Sequence, residues 1–179
     1  NALFQSVTTR TAGYNTADLT AMSGASQALM IILMLIGGAP GSTAGGMKTT
    51  TFAVMIANAA ATFRRRDQIQ VFHRRLNDEV VRNAATIAGM YMALFFCGAF
   101  VISVIENLPL SACLFETASA VGTVGLTLGL TPDLGVVSKG ILIILMYFGR
   151  VGGLTLIYAA VPEKSRYIAR YPEEKVNVG

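Results

Sequence analysis

Two short segments carry residue types suited to stripping and holding a cation: Thr11-Ala12-Gly13-Tyr14 and Thr123-Val124-Gly125-Leu126. What a Thr-x-Gly run offers is backbone. Glycine lacks Cβ and can take dihedrals that turn successive carbonyl oxygens toward one axis. A ring of such oxygens can replace an ion's hydration shell. Alone, Thr-x-Gly is a weak motif that also fits a simple turn; its value here comes from what precedes each copy.

A third segment, Gly37-Gly38-Ala39-Pro40-Gly41-Ser42-Thr43-Ala44-Gly45-Gly46, interrupts an apolar stretch over residues 23–63 that is too long for one crossing. Proline and glycine at this density break a helix. Non-helical backbone at membrane depth is tolerated only inside protein or along a water-filled cavity, so the break points to a pathway. Its small residues can repack at little steric cost, which suits a gate; a rigid helix break is the plainer alternative. The run from Gly41 to Lys48 nearly spells a nucleotide P-loop, but Met47 separates Gly46 from Lys48 and the flanks read as apolar helices, not as a strand and a helix. Arg150 falls in the middle of another apolar run, where an ionisable group is costly and by default a functional candidate. A structural ion pair is the alternative. Lys139, near the other end of that run, is expected to snorkel, and Arg10 to anchor the segment that follows it.

The elements that must position these groups read as membrane helices. Of the 179 residues, 53% are hydrophobic and 13% charged, against about 25% charged in a soluble domain. Residues 83–105 form an uncharged apolar run of about the 20 residues a spanning helix needs. Residues 136–161 form a second run. Residues 2–9 and 108–121 are too short to span, and each leads into a Thr-x-Gly segment. A short helix that returns through extended backbone is a re-entrant loop. Cys97 and Cys113 show neither a pairing pattern nor metal-ligand spacing and read as packing residues.

The net charge of +4 is not spread as nucleic-acid binding would need. Arg64, Arg65, Arg66, Arg74, Arg75 and Arg82 cluster in one loop, and Lys164, Arg166, Arg170 and Lys175 in the tail. By the positive-inside rule both clusters are cytoplasmic. Residues 83–105 then cross outward, 108–126 dip in from outside, and 136–161 return, so the C-terminus is cytoplasmic. Residues 63–82 are readable either as an amphipathic helix on the anionic inner leaflet or as a plain linker. His73, the only histidine, falls in this loop, which argues against pairing it with Ser42 as an intramembrane hydrolase. The expected reading is that the chain is not an enzyme.

A repeat ties the segments together. Ile31-Ile32-Leu33-Met34 recurs 112 residues on as Ile143-Ile144-Leu145-Met146, and in the same register Thr11 meets Thr123, Gly13 meets Gly125 and Gly37 meets Gly149. Leu3-Phe4-Gln5 resembles Leu114-Phe115-Glu116 with a one-residue gap. The unit is short helix, Thr-x-Gly loop, spanning helix. Two such units running in the same direction suit a ring of pore loops better than the inverted repeats of many carriers. A secondary carrier with a midplane cation site at the broken helix is the alternative.

Potassium-channel filters have the form Thr-Val-Gly-Tyr-Gly. Here Thr123-Val124-Gly125 keeps the first three residues, and Thr11, Gly13 and Tyr14 keep three. The run from Val7 to Thr16 resembles the third filter loop of the Trk/Ktr/HKT potassium transporter superfamily. Gly41-Ser42-Thr43-Ala44-Gly45-Gly46-Met47-Lys48 is similar to its intramembrane loop, and Gly122-Thr123-Val124-Gly125-Leu126 to its fourth filter. Tyr147-Phe148-Gly149-Arg150-Val151-Gly152-Gly153 resembles the last helix of its fourth repeat, and residues 170–179 the end of its Ktr membrane subunits.

The resemblance implies an all-α, polytopic membrane protein of channel-like helix–pore loop–helix repeats with one broken helix. Residues 1–63 would be the third repeat without its first helix, 64–82 a cytoplasmic basic linker, 83–161 the fourth repeat, and 162–179 a cytoplasmic tail. It implies potassium uptake across a bacterial cytoplasmic membrane. The filter would be Thr11, Ala12, Gly13, Tyr14, Thr123, Val124, Gly125 and Leu126. The gate would be Gly41, Ser42, Thr43, Ala44, Gly45, Gly46 and Lys48, with Arg150 bonding its carbonyls or placing positive charge in the cation path. It further implies no covalent cofactor, no metal other than potassium, sodium as an activator, a homodimer, and a cytosolic RCK-type nucleotide-binding regulatory subunit. Leu126-Thr127 lacks the second glycine of channel filters, which suggests fewer well-formed sites.

Overall fold

The computed structural model of the chain describes residues 2–66, 68–71 and 74–152. Among the described residues six helices carry the fold: α1 (Ala2–Thr8), α2 (Gly24–Leu35), α3 (Thr49–Phe63), α4 (Asp78–Glu106), α5 (Leu110–Val121) and α6 (Val136–Val151). The C-terminal part of the expected second crossing, residues 153–161, the tail 162–179 and His73 lie outside the described residues.

Helix α4 has 29 residues and spans about 43 Å at the α-helical rise. It is the one helix among the described residues long and apolar enough to cross a bilayer; α2, α3 and α5 are shorter apolar helices. Its start is specified locally. Asn77 accepts the Glu79 amide at 3.3 Å, and Asp78 and Glu79 occupy the first turn, where the helix dipole favours negative charge. It ends where Asn107 takes a left-handed φ of 53°, a conformation Asn tolerates better than most residues. Glu106 then reaches across to α6, accepting the Gly135 amide at 2.8 Å and the Ser138 hydroxyl, so one helix end caps the start of another.

Helix α5 is the centre of the molecule. Eight of its 12 residues, Cys113 and Phe115 through Val121, are buried. One side, Cys113, Ala120 and Val121, packs with Tyr91, Ala99 and Ile102 of α4 and with Leu142 and Leu145 of α6. The other side, Phe115 and Ala118, packs with Met30 and Met34 of α2 and Phe95 of α4. A short helix surrounded in this way presents its C-terminal end in the protein interior, where lipid cannot reach the carbonyls of its last turn.

The broken region is an ordered excursion. Helix α2 stops at Leu35 and α3 begins at Thr49. Ile36 and Met47 form a parallel bridge. The Gly37 amide donates to the Met47 carbonyl at 2.7 Å and the Thr49 amide to the Gly38 carbonyl at 3.2 Å, closing the loop at its base.

Beyond Phe63 the structure differs from the amphipathic-helix expectation. Arg65 takes a positive φ of 49°, which ends the helix. Gln70–Val71 and Arg74–Arg75 then pair as a short antiparallel ladder. The Arg65 amide donates to the Thr62 carbonyl and the Arg66 amide to the Ala61 carbonyl, both at 3.0 Å, so α3 closes in a turn instead of continuing.

Candidate functional site: two glycine loops and the loop that meets them

The 112-residue register seen in the sequence reappears in the backbone. Helices α2 and α6 begin at Gly24 and Val136. Thr11 and Thr123 both have left-handed φ, 66° and 50°, and Gly13 and Gly125 follow at 74° and 89°. For a β-branched residue this φ is a true outlier, and strain of this kind gathers at functional sites. The surroundings hold it in place. The Ala12 and Gly13 amides both donate to the Thr8 carbonyl, at 3.1 and 3.3 Å, and the Thr123 and Val124 amides to the Ala120 and Ser119 carbonyls, at 3.0 and 2.9 Å.

The two loops meet. A Cβ on Gly13 would overlap the Val124 carbonyl oxygen, and one on Gly125 would stand 4.0 Å from the Gly13 Cα. The Thr11 hydroxyl donates to the Gly122 carbonyl at 3.4 Å. Val124 and Leu126 are buried, while Tyr14 is exposed. Arg10 donates to the carbonyls of Ile36 and Gly37, fastening the first loop to the free C-terminal end of α2.

The broken-helix loop presses on the second glycine loop. A Cβ on Gly45 would collide with the Thr123 side chain, and one on Gly46 would lie 3.2 Å from the Gly122 Cα. The Thr123 hydroxyl is buried and has no hydrogen-bond partner among the described residues. Lys48 folds back onto its own loop, donating to the Ser42 and Ala44 carbonyls at 3.2 and 2.5 Å. Ser42 donates to the Ala39 carbonyl at 2.7 Å. Gly41, with φ 84°, has open space around it. From α6, Arg150 donates to the Thr43 carbonyl, and the Gly149 carbonyl accepts the Gly46 amide at 3.1 Å.

A cavity of about 490 Å³ is lined by Thr123, Val124, Gly125, Met146, Tyr147 and Arg150. The segments singled out in the sequence therefore converge on one place, although Thr11, Thr43 and Arg150 are far apart in the chain. Lys139 lies elsewhere and donates to the Pro132 carbonyl at 2.8 Å. Asp18 follows the first glycine loop; hydrogen bonds from the Thr20 hydroxyl and amide hold its carboxyl below the usual range.

Three contributors escaped the sequence reading. Gly149 supplies a carbonyl to the loop, and its pairing with Gly37 in the repeat was the available signal. Gln5 and Glu116 brace the segments that follow each glycine loop. They too were paired by the repeat, but polar residues on short helices carry no local mark of their partners.

A family model described as TrkH, cation transport protein, matches residues 1–168. The chain is 41% identical over 185 residues to the potassium/sodium uptake protein NtpJ of Enterococcus hirae, covering all of this chain and 41% of that protein. It is 37% identical to the Ktr system potassium uptake protein B of Bacillus subtilis, covering 98% of this chain and 39% of that protein. The crystal structure of the potassium transporter TrkH from Vibrio parahaemolyticus superposes with a TM-score of 0.78 at 26% identity, over 90% of this chain and 36% of that one. The chain thus spans about two fifths of the length of the curated relatives it matches. With the family match over nearly its whole length, and with a helical membrane-transporter fold in common, the chain belongs to the TrkH family of cation transport proteins.

Proposed function

We propose that the chain forms the third and fourth parts of a four-part pore for potassium uptake. The carrying observation is the meeting of the two strained Thr-x-Gly loops, with Gly13 against the Val124 carbonyl. Carbonyls of Thr11, Ala12, Gly13, Tyr14, Thr123, Val124, Gly125 and Leu126 would replace the water around a potassium ion. The loop from Gly41 to Lys48 gates this filter from the Thr123 side, and Arg150 holds it closed by bonding the Thr43 carbonyl. In this reading residues 1–63 and 83–161 belong to two successive repeats, 64–82 link them in the cytoplasm, and 162–179 form a cytoplasmic tail.

The names of the relatives supply the ion. NtpJ is a potassium/sodium uptake protein and the Bacillus relative a Ktr potassium uptake protein. By the same likeness we assign sodium an activating role, a homodimeric assembly in the bacterial cytoplasmic membrane, and an RCK-type nucleotide-binding regulatory subunit. No covalent chemistry is required of the chain.

The test is rubidium and sodium uptake by the complete transporter carrying Gly125→Ser. A side chain at φ 89° must distort the carbonyl ring, so discrimination against sodium should fall by about tenfold or more, given a strain of about 1–2 kcal/mol. Unchanged discrimination at normal membrane abundance would overturn the filter assignment.

A further inference from the structure

Behind each glycine loop, at positions that the repeat pairs on the preceding short helix, stands a long buried polar side chain. Glu116 of α5 is 5% exposed. Its Oε1 accepts the Thr127 hydroxyl at 2.5 Å and the Leu128 amide at 3.0 Å, and its Oε2 accepts the Thr131 hydroxyl at 2.8 Å. These donors come from the segment directly after Gly125-Leu126. The hydrogen-bond partners of the carboxylate are therefore neutral donors of one loop. In α1, Gln5 is 4% exposed and treats the segment after Gly13-Tyr14 with the opposite polarity. Its amide nitrogen donates to Asn15 Oδ1 at 3.1 Å and Thr16 Oγ1 at 3.5 Å, while its Oε1 has no partner among the described residues.

A buried carboxylate is costly to keep, and nothing in helix packing calls for one at this position. Its three hydrogen bonds, each to an ionised acceptor and so stronger than neutral ones, all act on residues 127–131. Those residues directly follow Gly125 and Leu126 in the chain. The Gly129 amide donates to the Thr127 hydroxyl at 2.9 Å, so the brace also fixes the next turn.

We infer that Glu116 is a positioning residue for the filter, fixing the exit of the Gly125 loop from behind, and that Gln5 does the same for the Gly13 loop through a donor. The inference rests on the filter reading above. It assigns the two loops unequal stiffness: three charge-assisted bonds at one, two neutral contacts at the other.

The test compares Glu116→Ala, Glu116→Gln and Gly125→Ser in the complete transporter, by rubidium uptake with and without competing sodium and by membrane abundance. Glu116→Ala should raise the apparent KM for rubidium and reduce discrimination against sodium, each by roughly three- to tenfold for the loss of bonds to a charged group. Glu116→Gln, which can still accept from Thr127 and Leu128 and donate to Thr131, should recover most of the loss. If Glu116→Ala fails to reach the membrane, Thr127→Val with Thr131→Val removes the hydroxyl donors from the loop side and should shift the same two quantities. Normal KM and discrimination in the alanine variant, or in the valine pair when alanine is absent, would overturn the inference while Gly125→Ser remains altered. An unaltered Gly125→Ser would instead remove the filter reading and the inference with it. A fall in maximal uptake that only tracks abundance would mark Glu116 as a folding residue and also overturn it.

Discussion

The amide of Gly46 donates to the carbonyl of Gly149 at 3.1 Å, and the neighbouring Arg150 donates to the Thr43 carbonyl. Two adjacent residues of α6 thus hold the broken-helix loop in the place where Gly45 meets Thr123. A neutral backbone bond contributes about 1 kcal/mol and one from a charged donor about 1.5–3 kcal/mol, so Arg150 is the stronger of the two fastenings. If the loop closes the pathway, Arg150→Ala should raise the open fraction by about tenfold while the closed state still dominates. Rubidium uptake per transporter in the membrane measures this. Removing residues 42–45 should raise it at least as far. Unaltered or lower uptake at normal abundance for both variants would count against a gate.

The two glycines should not respond equally to substitution. Both have φ in the left-handed region, 74° for Gly13 and 89° for Gly125, so alanine costs about 1–2 kcal/mol of backbone strain at either. Gly13 carries an added steric term, because its Cβ would overlap the Val124 carbonyl oxygen, whereas a Cβ on Gly125 meets only the Gly13 Cα at 4.0 Å. Gly13→Ala should therefore lower both membrane abundance and rubidium-over-sodium discrimination more than Gly125→Ala. Quantitative blotting beside competition uptake distinguishes the outcomes; a larger loss for Gly125→Ala would mean that the contact between the loops is not the tight one.

How far the sequence could be read depended on the kind of signal. The short helices α1 and α5 and the break after Leu35 were legible because length, glycine and proline report directly on backbone. The repeat was legible because Gly13 and Gly125 take the same positive φ and glycine, the residue suited to it, recurs in register; the left-handed φ of Thr11 and Thr123 has no such mark in the sequence. The ladder at Gln70–Val71 and Arg74–Arg75 was not, since a basic stretch with weak periodicity fits helix, strand and coil alike. Nor were the contacts of Glu116 with Thr127 and Thr131. A helix of buried small residues looks the same whether its one acid faces solvent, a metal or a loop, and only the three-dimensional return of residues 127–131 decides among these.

Gly45 offers a direct probe of the seat between the broken-helix loop and the second glycine loop. Any Cβ there collides with Thr123 Oγ1, and its distances to Thr123 Cγ2 and Cβ would be 2.7 and 2.9 Å. Thr123 is already held by its own amide bond to Ala120, so the loop must yield. Gly45→Ala should raise uptake by an amount similar to Arg150→Ala. If both variants act by unseating the same loop, combining them should add little. Full additivity in a double-mutant comparison of uptake rates would assign Arg150 a separate role, such as positive charge in the cation path.

The last expectation concerns stability. Phe115 is fully buried, between α2 and α4, while Phe96 of α4 is 54% exposed on a face that also shows Phe100 and Val104. Truncating a buried phenylalanine costs about 3–5 kcal/mol in soluble proteins. Within a bilayer the lost term is packing rather than expulsion from water, which places Phe115→Ala at the lower end of that range. Lipid tails can fill the space left at Phe96, where its ring contact with Phe95, at 4.7 Å between centroids, is forfeited. Thermal denaturation of the purified complete transporter in detergent should show a clear fall in Tm for Phe115→Ala and a small one for Phe96→Ala. Equal falls would mean that the Phe96 face of α4 is packed against protein in the full assembly rather than against lipid.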